Sequence, residues 1–97
     1  MLGVIFIKVV INEKAKKLLK ENQRDIFVEL KGWNNWNCST ELKPSVSIGT
    51  PKNTNAFDFF EVEKYNIYVS RMIPEDAFVE ISSANFYGLE YLIAYIK

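Results

Sequence analysis

Residues 57–70 read Phe-Asp-Phe-Phe-Glu-Val-Glu-Lys-Tyr-Asn-Ile-Tyr-Val-Ser. Two alternating runs, Phe57–Glu63 and Tyr65–Ser70, stand only a residue or so apart, which is the spacing of a β-hairpin turning across Lys64–Asn66. Phe57, Phe59 and Phe60 cannot all point to one side of a strand, so at least one phenylalanine belongs on the opposite face. Upstream, Ile26, Val28 and Leu30 alternate with Phe27, Glu29 and Lys31 in a second period-two run that Gly32 is expected to end. Val46 and Ile48 mark a further strand before the turn-rich residues 49–55. Downstream, Pro74, Glu75 and Asp76 signal a turn, and Phe78–Ile81 a strand with Val79 and Ile81 on one face.

The N-terminal third has a different texture. From Gly3 to Ile11 the β-branched residues Val4, Ile5, Ile7, Val9, Val10 and Ile11 predict a mostly internal strand. A secretory signal is the competing reading of this run, but no basic region precedes it, Lys8 interrupts it and no small-residue cleavage site follows. Asn12 is placed to cap a helix, because its side-chain oxygen can accept a free backbone N–H, and Glu13 suits the positive end of the dipole. Ala15, Leu18 and Leu19 then share one helical face, with Lys14, Lys16, Lys17 and Lys20 around the rest as a solvated surface. The order strand, helix, then alternating β segments predicts a single α+β domain over residues 1–97. It has one helix near Glu13–Glu21 and a mostly antiparallel or mixed sheet curled toward a barrel.

Composition excludes more chemistry than it suggests. The 97 residues are 48% hydrophobic and 25% charged, a globular balance, and lysine plus arginine equals aspartate plus glutamate at 12 each. Zero net charge offers no field for nucleic acid or an anionic membrane. The aromatic strand Phe57–Glu63 carries acids where single-stranded nucleic acid would need bases. No histidine is present, which removes Ser-His-Asp and Cys-His catalysis and the commonest zinc sites. Without a nucleophile and base pair, a non-catalytic protein is expected. The single cysteine, Cys38, cannot close an intrachain disulfide, so a reducing cytoplasm is the expected setting. Gly3, Gly32, Gly49 and Gly88 form no phosphate-binding pattern. No apolar run reaches the roughly 18–20 residues that span a bilayer.

The segments INEKAKKLLKEN (11–22) and IFVELKG (26–32), followed by a cysteine and a serine, resemble the opening of the HesB-like family, the A-type iron–sulfur carriers. VSIGTPKN (46–53), FDFFEVEKYNIYVS (57–70) and EDAFVEIS (75–82) extend the likeness. It is closest to a branch of small proteins with a paired cysteine, or cysteine–selenocysteine, motif and a V-x-x-G-x-P stretch, here Val46, Gly49 and Pro51. The resemblance also decides the C-terminal segment. Leu89, Leu92, Ile93 and Ile96 have helical spacing, while the tyrosines and isoleucines favour a strand, and a strand is expected. Carriers of this family hold clusters with three cysteines, of which this chain retains Cys38 alone, with Asn37 and Ser39 beside it.

Two functions follow. In the first, the chain is a degenerate HesB-like protein linked to iron–sulfur or metal handling, with Cys38 as its one retained metal ligand. In the second, the same scaffold is a non-metal interaction module. Cys38 reads first as a small buried hydrophobe, and no lysine or arginine in residues 32–41 lowers its pKa by proximity. Trp33 and Trp36 either seal the end of a core or anchor a partner. Phe57, Phe59 and Tyr91 are the remaining interaction candidates. The stretches Phe57–Val62 and Leu89–Ile96 are aromatic, thinly charged and free of proline, so they are expected to pair or pack in a homodimer. A protein partner is the other expectation; no cofactor is named by the sequence.

Overall fold

The computed structural model describes residues 7–34 and 40–97, without the side chains of residues 33, 34, 40 and 41. Among them, β1 (Lys8–Ile11) leads through Asn12 into α1 (Glu13–Leu18). There follow β2 (Asp25–Asn34), β3 (Thr40–Ile48), a 3-10 turn at Thr54–Ala56, β4 (Phe57–Val62), β5 (Tyr65–Ser70), β6 (Phe78–Phe86) and β7 (Leu89–Ile96). Three strands form one sheet in the order β1-β6-β7, and four form a second in the order β3-β2-β5-β4. Both sheets are mixed. β1 lies parallel to β6 and β2 parallel to β5, while the three hairpin-like pairs, β2 with β3, β4 with β5 and β6 with β7, are antiparallel.

Alternation explains how the sheets meet. Ile26, Val28, Tyr65, Ile67 and Val69 project from the four-stranded sheet into one core with Val9, Ile11, Val79, Ile81 and Ala94 of the other. Burying each large aliphatic side chain contributes about 1.5–3 kcal/mol, so these positions dominate the stability. α1 adds Ala15 and Leu19 to the same cluster and packs against β6 and β7.

The expected α+β, barrel-like fold is corrected to a mostly β architecture in which the described residues form two sheets and no closed barrel. The sheet edges approach each other, β3 beside β7 and β1 beside β4, but among the described residues no ladder joins them. Pro44, in the middle of β3, has no N–H to donate at that seam. The helix is also shorter than expected: after six residues the chain is extended at Leu19 (φ −80°, ψ 133°), which is buried in the core. Its start is as read: the Asn12 side chain accepts the Ala15 N–H at 3.1 Å, and its amide donates to Glu80 at 3.2 Å.

Other boundaries move for tertiary reasons. Residues 3–6 of the expected first strand lie outside the described residues; among the described strands β1 is an edge strand rather than an internal one, facing the core at Val9 and Ile11. β2 does not stop at Gly32, which stays in register with Leu42 as the β2–β3 ladder continues to Asn34 and Thr40. The β4–β5 turn is Glu63–Lys64, one residue earlier than expected, with Val62 opposite Tyr65. The C-terminal segment is a strand, and β6 runs to Phe86 to pair with it. Among the described residues no helix is long and apolar enough to cross a membrane.

Candidate functional site

The period-two pattern that buries Phe60 and Val62 of β4 turns Phe57 and Phe59 to the other face of the four-stranded sheet. There the register aligns a row across all four strands: Ser47 of β3, Phe27 of β2, Tyr68 of β5 and Phe59 of β4. Phe59 leans on Tyr68 with ring centroids 5.2 Å apart, and Phe57 meets Phe27 edge-on at 5.9 Å. Such pairs add about 0.5–1.5 kcal/mol beyond simple burial and fix the rings in place. Phe59 remains 54% exposed, whereas Phe27, Phe57 and Tyr68 are half-buried. The sequence singled out Phe57 and Phe59; Phe27 and Tyr68 were missed, although each is the aromatic member of an alternating run.

Acidic groups border this aromatic row. One residue pair along, Asp25, Asn66 and Glu61 lie side by side. The Asp25 carboxylate accepts the Asn66 amide at 2.8 Å and the Thr50 hydroxyl at 2.9 Å, and these bonds, Asn66 first, hold its pKa below the ordinary 3.8 against the opposing effect of burial. On the other side Glu29 sits 3.7 Å from Lys31. An aromatic sheet face with carboxylates at its rim suits an apolar protein surface and repels a phosphate backbone.

The other sequence candidates do not gather here. Tyr91 is on the opposite sheet, paired with Ala84 and about half exposed. The Trp33 backbone lies in β2 opposite Glu41, and its side chain is outside the described residues. Trp36 and Cys38 lie outside the described residues altogether, in the segment that links β2 to β3. Among the described residues no three His, Cys, Asp or Glu side chains converge on a point that could hold a metal. With one cysteine and no histidine in the whole sequence, the donors of a single chain do not fit an iron–sulfur cluster.

A model of the CC/Se motif containing family matches residues 7–97, which takes in every strand and the helix described above. The chain belongs to the CC/Se motif containing family. In this family member the cysteine has no cysteine neighbour, since Asn37 precedes Cys38 and Ser39 follows it. No curated protein and no solved structure matches the chain.

Proposed function

We propose that this protein is a non-catalytic interaction module whose outer aromatic face, centred on Phe59, holds a second copy of the chain. One observation carries the reading: two aromatic pairs, Phe27 with Phe57 and Phe59 with Tyr68, lie on one face of the sheet with Phe59 left more than half exposed. Edge pairing is the weaker route to the same dimer. Both edge strands that the sequence nominates, β4 and β7, already lie beside an edge of the other sheet. Face packing needs no rearrangement and buries the same patch on both copies. Light scattering across a dilution series tests it. A mass above the 11.3 kDa of one chain is expected, with Phe59→Lys dissociating the pair and Tyr91→Lys leaving it intact. A monomer at every concentration overturns the proposal.

A second reading keeps the tie to HesB-like carriers and gives Cys38 a part in iron–sulfur or metal handling. Its support is the order strand, helix, strand and then Cys38; the family match itself carries no link to iron–sulfur carriers. One thiolate per chain would require a second copy to complete a cluster. Anaerobic reconstitution with iron and sulfide decides it. No stable chromophore is expected; a cluster at one per dimer that Cys38→Ser abolishes would replace the interaction reading.

A further inference from the structure

The β6–β7 hairpin ends in a knob of apolar side chains that its own fold does not use. Phe86 pairs with Leu89 at the end of the ladder, and they are 62% and 72% exposed; Tyr87, at the turn, is 91% exposed. The turn itself is rigid. Tyr87 and Gly88 have φ of +51° and +83°, the signature of a type I′ connection, and the Asn85 side chain accepts the Gly88 N–H at 3.0 Å. The first turn position favours Asn, Asp or Gly, because a Cβ is crowded at positive φ. A tyrosine there, standing in water, serves neither the turn nor the core.

Cations flank this knob. Lys14 and Lys17 of α1 line a hollow with Ser83, Asn85 and Glu90 at the shoulder of the hairpin, and Lys20 lines a neighbouring one with Glu90 and Tyr91. None of the three lysines has an ion pair among the described residues, whereas Lys16 engages both Glu13 and Glu63. The zero net charge of the chain is an average; at this end the two hollows set three lysines against one carboxylate, Glu90. Strands rise about 3.3 Å per residue, so the lysine hollows lie about 3–10 Å behind the Phe86–Leu89 pair. That offset matches a bilayer surface, where apolar groups sink about 5–10 Å past the headgroups and lysines stay at their level.

We propose that the β6–β7 hairpin tip is a peripheral membrane-binding device. Phe86, Tyr87 and Leu89 enter the interfacial layer of an anionic phospholipid bilayer, and Lys14, Lys17 and Lys20 bind its headgroups. A lipid fits better than a protein partner because the knob is convex and apolar both on its strand face and at its turn, which a fluid lipid layer accepts without a matching pocket. This surface is separate from the Phe59 face.

Sedimentation with sucrose-loaded vesicles tests the device. The protein is expected to pellet with equimolar phosphatidylserine and phosphatidylcholine, less so with phosphatidylcholine alone, and less as salt rises. Lys14→Gln and Lys17→Gln should each weaken binding about fivefold, and Leu89→Ser about tenfold. Lys52→Gln, at an exposed position in the loop before β4, should bind vesicles like the parent, which separates the hairpin site from general charge attraction. All four substitutions are at exposed positions, and matched melting curves confirm the fold. Protein that stays in solution with both vesicles, or Leu89→Ser and lysine variants that bind like the parent, overturns the proposal and leaves a protein partner as the occupant of the knob.

Discussion

Replacing Tyr87 by asparagine should make this protein more stable while removing one of its most exposed aromatic rings. Tyr87 holds φ at +51°, where a side chain with a Cβ costs about 1–2 kcal/mol over the right-handed region. Asparagine tolerates that region several-fold better, which recovers about 1 kcal/mol. Against this stands the loss of the edge-on contact with Phe86, whose ring centroid is 4.5 Å away; at an exposed turn such a contact contributes about 0.5 kcal/mol. The net gain is about 0.5 kcal/mol, or about 2–4 °C in Tm for a domain of this size. Tyr87→Val is the counterpart, since a β-branched side chain fits positive φ worst and should cost about 1 kcal/mol or more. Thermal melts followed by circular dichroism, with urea titrations alongside, measure both. An asparagine variant that melts below the parent, or a valine variant as stable as the asparagine one, would refute the turn argument. In the vesicle assay the same asparagine variant should bind more weakly despite its added stability.

Two further outcomes follow from the core and the sheet face. Ile67 is fully buried between Ile26 of β2 and Phe60 of β4, so Ile67→Ala should cost about 2–5 kcal/mol in urea unfolding, and a loss below about 1 kcal/mol would place the core elsewhere. Asp25 has a folded pKa below 3.8, so its bonds to Asn66 and Thr50 add stability above that value that fades as pH falls through the lower folded pKa. Asp25→Asn should therefore be less stable at neutral pH and lose less on acidification; parallel pH–stability curves for parent and variant would show the carboxylate has no such role.

Local spacing was legible in the order of residues alone. Alternation at residues 26–31, 57–62 and 65–70 placed strands and told which phenylalanines face apart, because side chains of a strand must point to opposite faces in turn. Asn12 announced the helix start through its side-chain oxygen. The absence of histidine and of a second cysteine bounded the chemistry before any coordinates. Which segments meet was settled by packing between distant parts of the chain. The parallel pairings of β1 with β6 and β2 with β5 join residues far apart in the chain, and no local spacing encodes them. They split the strands into two sheets where a barrel was expected, and the helix stops before Leu19. They also assembled both surfaces proposed here. Phe27 and Tyr68 join Phe59 through register, and the lysines of α1 reach the hairpin of β6 and β7 because the buried face of that helix packs against those strands. Such surfaces depend on long-range packing, which contributes its free energy only once the whole core has formed.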